Sequence, residues 1–444
     1  MKGTAREVKK MLLKMVACCC SLLLLAGFLS GCNVISDPIS LMQTPTMSDE
    51  KQQLNGAVNT QLGAVQPLRP NDPDDPTPIR TGDLNNDGID EAVLFYETPD
   101  ESVKIHGALF EDQGGTWVKK LTFDGEGTVL ESFKLVDLTN DGTLDIVAGF
   151  SSGDSSENGD QKGLIVYSYT GGTLEKIYAT GYTDFVVDDF NHKKMDLNGD
   201  NLNDLTIILL RRNEFFTVKT FQFSGGTFKE IGSLELDSQA LGVYNVVAGK
   251  VAQGRQGIII DTKIAETTTV SNVIVMDHGK LRKLNLMDVT FKDATIASGD
   301  VDGDGILEFG NLEKPKGWSN RPLDEVPYFV SFYQWDGAKG TIFKQQQYRD
   351  SNEQVYFRLP KELHGKVTID PKVSRKDSYL RFILDDTDKT IAEIKFFSLS
   401  QWERNNEGYS QLWRTNAQVI GIKRSSELEP RKTIKNKMGE RQVE

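Results

Sequence analysis

The sequence predicts a mainly β fold: a β-propeller of about five four-stranded blades with a small C-terminal α+β domain. Three observations predict it. An Asp/Asn/Gly-rich stretch recurs five times in the middle of the chain, at intervals of 50 to 59 residues. A Gly-containing turn between two apolar runs follows each copy, at Gly114-Gly115, Gly171-Gly172, Gly225-Gly226, Gly279 and Gly337. Short apolar runs flank both features, so each unit holds four strands. The 444 residues exceed one compact domain, and 64 acidic against 51 basic side chains give a net charge of −13. That balance argues against a nucleic-acid partner, which needs a basic face.

The first 31 residues read as an export signal. Lys2, Arg6, Lys9, Lys10 and Lys14 precede an apolar run over residues 15–29, which ends in Leu29-Ser30-Gly31-Cys32. A basic start, a short apolar core and small residues before the cut are the marks of a secretory segment. The Leu-Ser-Gly-Cys ending resembles the lipobox of bacterial lipoproteins. The resemblance implies cleavage before Cys32, a lipid on its sulfur, anchorage to a membrane and a position outside the cytoplasm. All four cysteines, Cys18, Cys19, Cys20 and Cys32, fall in this region. The exported chain therefore has no disulfide, and something else must staple it. Without residues 1–31 its charge is −17.

Residues 32–78 read as a tether. Seven of the 14 prolines lie there, which suits an extended, poorly packed spacer. Ser48 followed by Asp49 and Glu50 is placed to cap a short helix with Leu54, Ala57, Val58 and Leu62 on one side.

Residues 79–355 carry the repeat. In the second unit, 133–136 and 146–150 flank the acidic loop, and 164–169 pairs with 174–179 through the Gly-Gly turn. In the other units 92–96, 205–210 and 258–260 follow the loop, while 221–223 and 329–335 precede the hairpin turn.

Four loops place oxygen donors at positions 1, 3, 5 and 9. They are Asp83, Asn85, Asp87 and Glu91; Asp137, Thr139, Asp141 and Asp145; Asp196, Asn198, Asp200 and Asp204; and Asp300, Asp302, Asp304 and Glu308. Alternate donors converge on one ion when the backbone curls around it, and the position-7 carbonyl (Ile89, Thr143, Leu202, Ile306) then joins them. Six or more hard oxygens in a flexible cage suit Ca²⁺ better than Mg²⁺. Position 6 is Gly88, Gly142, Asn201 or Gly305, residues that tolerate a positive φ. Position 12 is Leu94, Ala148, Ile207 or Asn311, so an EF-hand, which needs an acid there, is excluded. The fourth copy has Lys250, Ala252 and Gly254 at positions 1, 3 and 5 and is given no metal. Lys250 is expected to supply an internal cation instead.

This pattern resembles the calcium loops of FG-GAP/VCBS repeats, the units of the integrin α-chain propeller. The resemblance covers about 79–350 and implies about four Ca²⁺ sites on a binding scaffold. The 13 carboxylates of the four loops would repel one another if bare, and four Ca²⁺ would answer much of that charge.

Residues 356–424 lose the period and read as an α+β module, with strands at 366–369, 379–384, 391–399 and 417–422 and a helical turn at 400–405. Trp402, Tyr409 and Trp413 are expected in its core. Residues 425–444, rich in charge, read as a disordered tail. No catalytic grouping emerges. His106, His192, His278 and His364 are scattered, and no nucleophile elbow, phosphate loop or His-Glu-x-x-His helix occurs. His192 beside Asp188 and Asp189 reads as a solvated loop histidine. The expected function is therefore a lipid-anchored, calcium-stabilised binding or scaffold protein of the cell envelope, with a protein or glycan ligand and no enzyme activity. The alternatives are an enzyme acting on envelope or extracellular polysaccharide, and an accessory lipoprotein of an envelope or spore assembly.

Overall fold

A computed structural model describes residues 48–63, 65–73, 75–98, 102–153, 162–321, 326–350, 355–373 and 379–425, with two short strands further on. The export signal, Cys32 and the first part of the tether lie outside the described residues. The chain is mainly β, built from antiparallel sheets that follow one another in sequence.

A helix, α1 (Asp49–Leu62), comes first. Ser48 starts it as expected, its Oγ accepting from Lys51 N at 3.4 Å, and Leu54 and Val58 are buried. Strands β1 (Ile79–Gly82), β2 (Glu91–Glu97), β3 (Ile105–Asp112) and β4 (Trp117–Asp124) form the first sheet. The second holds β5 (Val129–Val136), β6 (Asp145–Ser151), β7 (Lys162–Thr170) and β8 (Thr173–Tyr182). The third holds β9 (Asp184–Val186), β10 (Asp204–Arg211), β11 (Phe215–Ser224) and β12 (Thr227–Glu235). The fourth holds β13 (Gly242–Ala252), β14 (Arg255–Lys263), β15 (Thr269–Asp277) and β16 (Lys280–Lys283). A helical turn, α2 (Met287–Thr290), leads into β17 (Phe291–Lys292), which pairs with β15.

The fifth sheet departs from the expected unit. The strand before its acidic loop shrinks to one bridge, Gly299 to Glu308, and the sheet starts with β18 (Phe309–Glu313). It continues through β19 (Phe329–Trp335), β20 (Thr341–Asp350) and β21 (Val355–Arg358). Strand pairing thus runs on past residue 355. The last sheet contains β22 (Val367–Ile369), β23 (Tyr379–Leu384), β24 (Thr390–Ser398), α3 (Leu399–Arg404) between strands, β25 (Ser410–Arg414) and β26 (Gln418–Arg424). Within the expected tail, β27 (Ile434–Lys435) and β28 (Arg441–Val443) are strands, and β28 joins the free edge of β21 in parallel. The edge of β21 offers unpaired backbone groups for that pairing.

The central strands read as unbroken apolar runs because both of their faces are buried, with alternate residues serving opposite neighbours. On β6, Ile146, Ala148 and Phe150 pack with the first sheet, whereas Val147 packs with the third. On β14, Ile258 and Ile260 join the third sheet's core and Ile259 joins the fifth's. Phe95 meets Phe133 and Phe150 edge-on at 5.0 and 5.5 Å. Phe329 and Tyr348 pack on Phe382 in the core shared by the fifth and last sheets. In the last sheet Tyr409 is buried and Trp402 and Trp413 half-buried, with Trp402 edge-on to Phe397 at 5.3 Å.

The tether is not a free spacer where it is described. Leu68 N donates to Phe95 O at 2.7 Å and Asn71 N to Leu130 O at 2.8 Å, which ties it to the first two sheets. Pro70 is buried.

The fourth unit has no acidic loop. β13 and β14 pair through Lys250–Gln256 and Ala252–Arg255, so Gln253 and Gly254 make a tight hairpin, with Gly254 at φ +69. Lys250 is exposed and is not an internal cation. The buried cation of this sheet is Lys292, whose Nζ donates to Ser271 Oγ and Ile296 O, both at 2.8 Å. Asp261, also fully buried, lies 3.8 Å away and accepts from Ser271 Oγ, Ser298 N and Oγ, and Asn245 Nδ2. Removing one partner of a buried pair leaves the other uncompensated. Lys292→Met and Asp261→Ala are each expected to destabilise the fold by about 3–5 kcal/mol, read as a lowered urea midpoint. A loss below about 1 kcal/mol would show that this network is dispensable.

Candidate metal centre

Each acidic loop leads into β2, β6, β10 or β18, and the same hydrogen bonds build it each time. The position-2 side chain anchors it: Leu84, Leu138 and Leu197 are buried, and Val301 packs against a buried cluster. The position-9 carboxylate accepts the position-2 N–H: Glu91 from Leu84 at 2.8 Å, Asp145 from Leu138 at 2.9 Å, Asp204 from Leu197 at 2.8 Å and Glu308 from Val301 at 2.7 Å. The position-1 carboxylate accepts the position-6 N–H at 2.7–3.1 Å in all four. Position 5 accepts from position 7, at 2.8 Å for Ile89 N to Asp87 and 2.9 Å for Thr143 N to Asp141, Leu202 N to Asp200 and Ile306 N to Asp304.

Position 6 has the expected left-handed backbone, with φ of +82, +93, +67 and +82 at Gly88, Gly142, Asn201 and Gly305. Position 4 is left-handed too, at Asn86, Asn140, Gly199 and Gly303. Its signal was Asn or Gly at that position in every copy, the residues that tolerate it.

The loops are also linked. Leu144 N, in the second loop, donates to Asp83 O in the first at 3.2 Å. Asn203 Nδ2 in the third donates to Asp137 O in the second at 2.6 Å. Asp196 N donates to Gln256 Oε1 at 3.1 Å, and Leu307 N to Lys250 O at 2.7 Å, so the series passes through the fourth unit, whose hairpin replaces the acidic loop.

Residues that the spacing did not reveal face the loops from each unit's third strand. In the strand registers Glu111 lies opposite Glu91 and Gln222 opposite Asp204, while Ser168 and Gln334 lie one residue beyond the Ile146–Tyr167 and Phe309–Tyr333 pairs, next to Asp145 and Glu308. Gln222 Nε2 donates to Asp200 at 2.7 Å and Asp204 at 3.3 Å. Gln334 Nε2 donates to both Asp304 oxygens at 3.0 Å and also to Glu308. These residues are about 20 positions from the acids they face, and only strand pairing brings them there.

Carboxylates converge most in the fifth-unit loop. One oxygen from each of Asp300, Asp302, Asp304 and Glu308 lies within 4.8 Å of the others, an arrangement that can bind a metal ion. Among the described residues this is the one group of three or more such side chains so gathered. The first three loops hold Asn85, Thr139 and Asn198 at position 3 in place of an acid. In the second loop, Thr139 Oγ1 and Asp145 Oδ1 are buried without a hydrogen-bond partner, although the Ser168 and Thr139 hydroxyls approach closely enough to favour the Asp145 anion. Buried oxygens left open at positions 3 and 9 are what a cation would satisfy. The donor set is all oxygen, which suits a hard divalent ion.

The four closing acids are perturbed alike. Burial pushes Glu91 up to about 7, against the Leu84 N–H and with the charges of Asp87, Asp83 and Glu111. Burial likewise lifts Asp145 to about 6, Asp204 to about 7 and Glu308 to about 8. For Asp204 the charges of Asp196 and Asp200 add to burial, and for Glu308 those of Asp302 and Asp304 do so.

The histidines stand apart from the loops' oxygen sets. His192 is exposed, with Nδ1 3.0 Å from Asp188, and His106 and His278 pair with Asp124 and Asp277. His364 Nε2 lies 2.8 Å from Leu359 O.

No protein-family model matches the chain, and no curated protein does. Solved structures with a distant likeness include a rhamnogalacturonan lyase, YesW, at 15% identity and TM-score 0.30, over 63% of this chain and 67% of that one. A Bacillus licheniformis rhamnogalacturonan lyase of family PL11 shares 13% identity at TM-score 0.31, with the same coverage. A Lactobacillus plantarum protein shares 13% identity at TM-score 0.32, over 76% of this chain and 86% of that one. Likeness at this level carries no argument about activity.

An acid that holds its proton more tightly when folded contributes stability that is full below its unfolded pKa and lost as pH rises through the folded one. In chelator, the four closing acids are therefore expected to lower stability between about pH 4 and pH 8. Each tenfold difference in proton affinity is worth about 1.4 kcal/mol. Urea denaturation across that range should show the fall, and Glu308→Gln should make it shallower. An unchanged slope in Glu308→Gln would place the titration elsewhere.

Proposed function

We propose that this chain is a calcium-stabilised, propeller-like binding scaffold of the cell envelope, held to a membrane by lipid on Cys32. The observation that carries the calcium reading is the repeated loop, in which a buried ninth-position acid closes a set of oxygen donors four times over. Asp83, Asn85, Asp87 and Glu91 hold the first ion with the Ile89 carbonyl, and the corresponding residues of the second, third and fifth units hold the others. Ca²⁺ supplies no reaction here. It neutralises acids that would otherwise need protons, and it locks each loop between two strands.

Successive sheets packed face to face support a blade-like arrangement of the five units, with the C-terminal sheet packed on the fifth. Such a stack presents loops from many units on one side, a format suited to binding a protein or glycan. The export reading rests on the sequence of residues 1–32.

In millimolar calcium the melting temperature is expected to rise and in chelator to fall back, with Mg²⁺ much less effective. A site filled at ~100-fold excess over its Kd adds about 2.7 kcal/mol. Asp145→Asn should remove about one quarter of the calcium-induced rise. Identical melting in calcium and chelator would refute the stapling role. In cells, Cys32→Ala should abolish labelling by a fatty-acid analogue and release the protein from the membrane fraction, and continued labelling would refute the anchor.

A further inference from the structure

Each unit that carries an acidic loop also carries a β-bulge in its hairpin, at the same place relative to that loop. The register slips between Leu109 and Phe110 on β3, Val166 and Tyr167 on β7, Thr220 and Phe221 on β11, and Phe332 and Tyr333 on β19. The residues left over on the facing strands are Lys120, Ile177, Ile231 and Lys344. A bulge re-aims the side chain it carries. In the second and third units that side chain is apolar. In the first, Lys120 reaches Glu111 at 2.8 Å, the acid facing Glu91 across the strands.

In the fifth unit the bulged residue goes further. Lys344 Nζ lies 3.3 Å from Asp302 Oδ2 and hydrogen-bonds Asp304 Oδ2, so it touches positions 3 and 5 of the loop directly. Its side chain is only 18% exposed. The loop with the most carboxylates thus has an ammonium group paired with its position-3 and position-5 acids.

We propose that Lys344 is a built-in counter-ion of the fifth loop, which competes with calcium there and makes this site the last to fill. The proposal rests on the calcium reading given above and concerns the ranking of the sites. Among the described residues no lysine forms an ion pair with position 3 or 5 of the first three loops, Lys194 Nζ in the third donating instead to the Asn201 carbonyl at 2.8 Å, and these loops fill first. In the fifth, calcium must displace Lys344 from Asp302 and Asp304, and a like charge left nearby weakens binding further. Position 3 being Asp in this loop, and Asn or Thr in the others, balances the extra positive charge.

Calcium titration of the full chain by calorimetry with a competing chelator tests this. The native protein is expected to show three tighter sites and one weaker. Lys344→Met should tighten the weakest site by about tenfold or more, and Lys344→Arg should leave it weak. Adding Asp304→Asn to Lys344→Met should abolish the gain, which places it in the fifth loop. Lys344→Gln serves the same purpose if the methionine variant does not fold. Calcium binding by the native protein with its weakest site unchanged in the neutral variants would overturn the counter-ion role and leave the calcium reading standing. No calcium binding by any of them would overturn both.

Discussion

The structure depends on one recurring interaction: a buried carboxylate at the ninth position of the loop takes the backbone N–H of the second. That contact pulls the loop shut between two strands and draws the acid away from water. Burial then demands something positive, and the choices are a proton or a cation. The raised pKa of all four closing acids expresses that demand, and the unpartnered Thr139 and Asp145 oxygens show it in atoms. Because successive loops share hydrogen bonds, closing one also positions the next.

The units answer the demand differently. The fourth unit drops the acidic loop for a two-residue hairpin and keeps a buried Lys292–Asp261 pair instead, satisfied by Ser271, Ser298 and Asn245. The third and fifth place a glutamine amide between positions 5 and 9, and the fifth adds an ammonium. In a chain of net charge −13, such local arrangements keep closely spaced acids compatible with a packed core.

Much of this was legible in the sequence because it is local. Donor spacing, the left-handed position 6 and the apolar runs beside each loop all lie within about a dozen residues, and the loop geometry follows them. The departures arise where distant segments meet. Glu111, Ser168, Gln222 and Gln334 face the loops only through strand register, and Lys344 only through a bulge. The internal cation assigned to Lys250 belongs to Lys292, some 40 residues later, because Lys250 sits on an exposed hairpin end. The proline-rich stretch after α1 reads as a spacer, yet its backbone bonds to Phe95 and Leu130, partners that composition does not show.

Native mass spectrometry of the full chain at rising calcium tests the central claim most directly. The account predicts three bound ions at low calcium and a fourth at higher concentration. A chain that stays folded and carries no calcium at any concentration would contradict it.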